Sequence, residues 1–178
     1  MLGRGCFRYR ADQCPAPDFP GGQRPRAVRR QGVGIETEFQ QLRGESPLLD
    51  TPARIADLLR EQNRVYQVEN FQVVLLNTRR RLIRWEQISQ GTLDTLLVHP
   101  REVFKSAIAA GAAAIVLAHN HPSGDPTPSE SDIKVTRDLI RAGQLLKIEV
   151  LDHIILGRCS PERKNDYVSL RELGFFYS

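Results

Sequence analysis

The chain has 178 residues, with 25 Lys plus Arg against 21 Asp plus Glu and a formal charge of +4. The first 34 residues hold seven arginines against Asp12 and Asp18, a balance of +5, which leaves 18 basic against 19 acidic residues, or −1, for the body. A near-neutral body gives little support to a globule that binds nucleic acid through clustered Lys and Arg. Three dispersed cysteines, Cys6, Cys14 and Cys159, provide neither a disulfide framework nor a Cys-rich zinc site, which fits a reducing compartment.

The residues after the tail suit one domain that buries its core without staples. No apolar run approaches the roughly 20 residues of a membrane span, and the N-terminus lacks the apolar stretch of a signal peptide. A soluble, cytoplasmic protein is expected.

Residues 1–34 carry six Gly and four Pro among the arginines. This stretch reads as a disordered, solvated tail, or as translated sequence upstream of the natural start, in preference to an arm for nucleic acid. A polar connector with some helical potential comes next, so 1–46 is expected to lie outside the domain and 47–178 to form it.

From Thr51, the run TPARIADLLREQN has a capping residue, Pro52 at the first helical position and apolar residues at 55, 58 and 59, predicting an amphipathic helix. The β-rich runs 71–76 and 81–85 flank Asn77, Thr78, Arg79 and Arg80, which suits an antiparallel hairpin. Phe71 and Trp85 are expected in the core. TLDTLLVH (92–99) predicts a further strand. Pro100 opens a helix with an apolar face of Val103, Phe104, Ala107, Ile108 and Gly111. AAIVLA (113–118) is short and wholly apolar, as a buried central strand is. A helix from Ser129 to about Ala142, a strand over 147–156 and a short element around Ser169 to Leu173 complete the body. Helices interspersed with strands predict an α/β fold with a mixed β-sheet flanked by helices.

The buried strand runs directly into His119-Asn120-His121-Pro122-Ser123-Gly124-Asp125-Pro126-Thr127-Pro128-Ser129-Glu130-Ser131-Asp132. If strand geometry persists, His119 and His121 share parity and point to one side, as two ligands of one ion must. The three prolines stiffen the loop and return the chain toward them. Ser129 and Asp132 stand at cap and third helical position, which a capping box alone would explain. Together with the histidines they place a carboxylate opposite two imidazoles. Two imidazoles, one carboxylate and a place for water make the ligand set of a catalytic zinc, which lowers the pKa of its water to about 7 and polarises a carbonyl. His153, in LDHIIL, alternates with apolar neighbours and reads as a structural histidine bonded to Asp152 or a loop. Although the letters His-Asn-His suggest an HNH nuclease, the residues of that nuclease are dispersed over a ββα unit.

His-x-His, seven residues, Ser, two residues, Asp is similar to the zinc motif of the JAMM/MPN metallopeptidases, and HNHPSGDPTPSESD resembles its form in the bacterial RadC-like (UPF0758) family. ENFQVVLLNTRRRLI, GTLDTLLVHPREVF, AAAIVLAHNHPSGD and LDHIIL resemble that family in order and spacing, from roughly Leu48 onward. The resemblance implies a cytidine-deaminase-like α-β-α sandwich and one Zn2+ held by His119, His121 and Asp132. It also implies that Ser129 hydrogen-bonds a developing oxyanion, and that Glu69 takes a proton from the metal-activated water and passes it to the leaving amine. Glu102 competes for that role, but Pro100 makes it a first-turn residue favoured by the helix dipole.

These residues together predict a zinc metalloprotease-type hydrolase acting on a peptide or protein substrate at a peptide or isopeptide amide. The alternative is a DNA-repair-associated module with structural or vestigial zinc, which would not need the complete Glu, His, His, Ser, Asp set. Hydrolysis of a non-peptide amide would share every residue. The family commonly carries an N-terminal helix-hairpin-helix-like region that the first 45 or so residues do not resemble, so DNA is weakly supported as a partner. No membrane is expected, and the oligomeric state stays open.

Overall fold

The computed structural model describes residues 46–63, 66–91, 98–161 and 163–176. The expectations for the arginine-rich tail, for its connector and for most of the strand over 92–99 lie outside them. Val98 and His99 are described, and they are a bend and a helix cap rather than strand.

Helix α1 (Pro52–Asn63) leads into β1 (Asn70–Leu76) and β2 (Leu82–Gln90), followed by α2 (Pro100–Ala109), β3 (Ala114–Asn120), α3 (Glu130–Leu146), β4 (Glu149–Leu156) and β5 (Tyr167–Ser169). The five strands form one sheet in the order β2-β1-β3-β4-β5. β1 and β2 form the expected antiparallel hairpin, β1 pairs antiparallel with β3, β3 runs parallel to β4, and β5 closes the edge antiparallel to β4. A β3-α3-β4 crossover joins parallel neighbours, as such a pairing requires. The fold is therefore α/β with a mixed sheet.

Side-chain parity divides the core into two layers. Val74, Leu76, Val116, Ala118, Ile154 and Leu156 pack with Ile55, Ala56 and Leu59 of α1. Phe71, Val73, Leu75, Ile115 and Leu117 face the other way, against Val103, Phe104 and Ala107 of α2 and Val135 and Leu139 of α3. One helix on one face and two on the other make a three-layer α-β-α sandwich. β1 and β3 are buried along their whole length, which is why their sequences read as continuous apolar runs. Phe71 and Trp85 are core, at 1% and 2% exposure.

Several boundaries differ from expectation for local reasons. β2 continues five residues past Trp85, because Glu86, Gln87, Ser89 and Gln90 pair with β1 through their backbone although their polar side chains carry no alternation signal. α3 runs four residues beyond Ala142 and ends where Lys147 adopts φ 59° as its cap, so the following strand starts at Glu149 instead of Lys147. α2 ends before Gly111, whose φ is 62°, and Ile108 is 59% exposed. Neither residue belongs to a buried helical face, since the sheet covers only the stripe at 103, 104 and 107.

One helical glycine is dictated by packing. A Cβ at Gly143 in α3 would lie 2.5 Å from the Ile148 carbonyl oxygen and 3.2 Å from Phe104. Helix propensity alone favours Gly143→Ala by about 1 kcal/mol. Because the obstacle is backbone, we expect the opposite sign: Gly143→Ala lowers unfolding free energy by about 1–3 kcal/mol in denaturant titration. A more stable variant would contradict this packing.

Candidate metal centre

β3 delivers both histidines. His119 is its penultimate residue and is fully buried on the α2/α3 side of the sheet. The next residue, Asn120, faces the opposite way. One position further on, the His121 backbone N–H still donates to the Leu156 carbonyl at 2.8 Å, so strand geometry persists past the end of β3 and keeps His121 in parity with His119. Their Nε2 atoms stand 3.0 Å apart.

The loop after His121 turns back through Gly124 at φ 84°, with the Gly124 N–H donating to the His121 carbonyl at 2.9 Å. It is pinned from outside. The Gly124 carbonyl accepts from the Arg158 N–H at 2.8 Å and from the Arg163 guanidinium at 2.6 Å. Close approach of the next segment requires Gly157, where a Cβ would meet the Gly124 carbonyl oxygen at 2.5 Å and Pro126 at 2.7 Å. Held in this way, the loop presents the Asp125 carbonyl to His121 Nδ1 at 2.6 Å. A carbonyl only accepts, so His121 carries its proton on Nδ1 and leaves Nε2 as a lone pair.

The loop ends at Ser129, which caps α3. Its hydroxyl accepts from the Asp132 N–H, and the Asp132 carboxylate accepts from the Ser129 N–H at 2.7 Å, completing the capping box. That bond holds Asp132, 1% exposed, with Oδ1 3.2 Å from His119 Nε2 and Oδ2 3.5 Å from His121 Nε2. The Ser129 hydroxyl also donates to Oδ2 at 2.7 Å, and Ser129 as a residue is exposed.

Electrostatics follow from burial. Desolvation opposes ionisation of Asp132, yet the neighbouring rings of His119 and His121 and the hydrogen bond from the Ser129 N–H outweigh it and hold the carboxyl well below the usual range. Burial lowers the pKa of His119, with Asp132 partly opposing, whereas the nearby Asp132 carboxylate raises that of half-buried His121.

The donor set fits a divalent ion. One ligand atom from each of His119, His121 and Asp132 lies within 4.8 Å of the others. Metal–ligand bonds of about 2.0–2.1 Å in tetrahedral geometry imply ligand–ligand edges of about 3.3–3.4 Å. The observed separations of 3.0, 3.2 and 3.5 Å bracket that edge. These residues could hold a metal.

Glu69 immediately precedes β1 and is half-buried. Phe71 pairs with His119 across β1 and β3, so Glu69, two positions earlier, shares the side of the sheet that carries the histidines. Its charge favours the protonated forms of both His119 and His121. Its backbone is fixed on three sides. The Asn120 side chain accepts from the Asn70 N–H at 2.9 Å and donates to the Val68 carbonyl at 3.1 Å, and the Gly91 N–H donates to the Glu69 carbonyl at 2.9 Å. Glu102 is exposed in the first turn of α2, where it pairs with Arg101.

Three contributors escape a reading of the sequence. Asn120 stands between the histidines and, by alternation, had to face the layer that holds the backbone around Glu69. His153 is not bonded through its ring to Asp152, whose carboxylate instead accepts the His153 backbone N–H. The ring lies 2.9 Å from His119 Nδ1 and 2.6 Å from the Thr136 hydroxyl. Thr136, one turn after Asp132 on α3, gave no signal.

Fold and site together define the class: a three-layer α/β domain with a two-histidine, one-carboxylate cluster where a central strand ends. The chain belongs to the RadC-like JAB domain family, whose model matches residues 49–175. It is 47% identical over 133 residues to a UPF0758 protein of Caldanaerobacter subterraneus subsp. tengcongensis, covering 75% of this chain and 54% of that relative. A UPF0758 protein of Desulfitobacterium hafniense is 50% identical over 128 residues, covering 72% and 54%, and one of Moorella thermoacetica is 53% identical over 110 residues, covering 62% and 48%. The chain thus spans about half the length of the curated relatives it matches. No helix among the described residues is long and apolar enough to cross a membrane.

A ligand that binds only the folded state stabilises it by about 2.7 kcal/mol at a hundredfold excess over Kd. Added zinc should therefore raise the thermal midpoint of the wild type and leave that of His119→Ala unmoved. An equal rise in both proteins would place the binding elsewhere.

Proposed function

We propose that the domain is a zinc-dependent hydrolase that cleaves a peptide or isopeptide amide with an activated water. The observation that carries this reading is the convergence of His119, His121 and Asp132 on one point, with Glu69 on the same side of the sheet. Nitrogen and carboxylate donors at tetrahedral spacing favour zinc among divalent ions, and three protein ligands leave a fourth position open. Bound there, the ion supplies Lewis acidity, lowering the pKa of a water to about 7 and polarising the scissile carbonyl.

The chain's own residues would do the rest. His119, His121 and Asp132 act as ligands. Glu69 takes the proton released as water attacks the carbonyl carbon and delivers it to the amide nitrogen as the C–N bond breaks. The hydrogen bonds around Val68, Glu69 and Asn70 give that carboxylate a fixed origin, which proton transfer over hydrogen-bond distances requires. Ser129 turns its hydroxyl from Asp132 to the oxyanion while its backbone N–H keeps the carboxylate in place. A protein or peptide is the substrate class proposed.

Glu69→Gln keeps the shape of the side chain and removes the base. It should retain zinc, lose about 10²–10⁴ in turnover, and hold its substrate for identification by mass spectrometry. The wild type should then cleave the captured molecule at an amide. Wild-type turnover by Glu69→Gln, or cleavage at a bond other than an amide, would overturn the proposal.

A further inference from the structure

We propose that His153 and Thr136 are positioning residues that fix the tautomer of His119, so that its Nε2 lone pair faces the metal centre. The inference rests on the reading of His119, His121 and Asp132 as metal ligands and extends it to two residues that touch no ion.

The protons can be placed one after another. Thr136 Oγ1 lies 2.6 Å from the carbonyl oxygen of Asp132 and 2.6 Å from His153 Nδ1. Two oxygens at that separation repel unless a proton lies between them, and a carbonyl cannot supply it. The single hydroxyl proton of Thr136 therefore goes to Asp132, and only lone pairs remain for His153. His153 Nδ1 must then be the N–H. A neutral imidazole has one such group, so His153 Nε2 is a lone pair. It stands 2.9 Å from His119 Nδ1, which must carry the proton of that ring. His119 Nε2 is left unprotonated, 3.2 Å from Asp132 Oδ1 and 3.0 Å from His121 Nε2.

Burial makes the choice binding. His119, Thr136 and His153 are each 0% exposed, so no solvent relieves the other tautomer of His119, which would set two lone pairs 2.9 Å apart at Nδ1 and His153 Nε2. The chain of bonds also closes on itself. It begins at the backbone of one ligand, Asp132, and ends at the ring of another, so each ligand helps to orient the other. Ligating histidines generally donate their second N–H to a carboxylate, a carbonyl or water. Here a second imidazole, itself set by a threonine, takes that place.

A backbone irregularity brings His153 to this position. In the β3–β4 pairing Ile115 partners Val150 while Val116 partners Asp152, which leaves Leu151 as an extra residue. Val150 faces the α2/α3 layer and Leu151 faces α1. The bulge thus puts odd-numbered residues, His153 among them, on the side of His119, where an unbroken strand would have put Asp152.

The test reads the tautomer directly. Long-range ¹H–¹⁵N correlation spectra of the zinc-free wild type should show His119 protonated at Nδ1. Thr136→Val keeps the shape and removes the acceptor, freeing His153 to donate from Nε2. His119 should then shift toward the Nε2–H form, and zinc affinity, measured by chelator competition, should fall about 10–100-fold. Thr136→Ser should restore both, and His153→Phe should weaken zinc to a similar degree. A wild-type His119 protonated at Nε2 overturns the proposal, as does a folded Thr136→Val protein with unchanged tautomer and affinity within twofold. A wild type that binds no zinc overturns the metal reading instead, and the spectra still decide whether His153 and Thr136 set His119.

Discussion

A carboxylate at 1% exposure persists as an anion only where other groups replace its hydration, and Asp132 finds them on two sides. The first turn of α3 supplies the Ser129 N–H and hydroxyl as donors, and the end of β3 brings two imidazole nitrogens within 3.2 and 3.5 Å, close enough to share a cation with it. Remove either side and the charge is stranded. Every feature near the site serves this meeting of a helix N-terminus with a strand C-terminus. The strand-like reach of His121, the pinned loop over Gly124 and the capping box bring together groups that are 13 positions apart in the chain.

The same meeting explains why the site lies where it does. β3 is the inner strand where pairing changes from antiparallel on the β1 side to parallel on the β4 side. Helix α3 must leave the end of β3 and return the chain to the start of β4, so its N-terminus stands over the strand's last residues. Open α/β sheets commonly place sites outside the carboxyl ends of their strands for this reason. The antiparallel neighbour β1 starts at that same end, which brings Glu69 alongside.

Much of this is legible in the sequence because it is local. A wholly apolar run marks β3, strand parity puts His119 and His121 on a shared side, and Ser129 with Asp132 spells a capping box. Glu69 is reachable only through likeness to a family, since its place depends on register between β1 and β3. Ile108 and Gly111 mislead because helical periodicity identifies a stripe without saying how much of it the sheet covers. His153 misleads for a different reason. Alternation assigns its neighbours correctly, but the bulge at Leu151 reverses which residues face the site, and no residue type announces it. Thr136 is invisible because its partner lies on another element and its local role, bonding the carbonyl one turn back, is common in helices.

Most depends on whether His119, His121 and Asp132 form one four-coordinate site with a position left for water. Zinc K-edge absorption spectroscopy of the zinc-loaded protein tests this most directly. The geometry predicts four nitrogen or oxygen neighbours at about 2.0–2.1 Å, the multiple-scattering pattern of two imidazoles and no sulfur. A shell containing sulfur at about 2.3 Å, or only one imidazole, would contradict it.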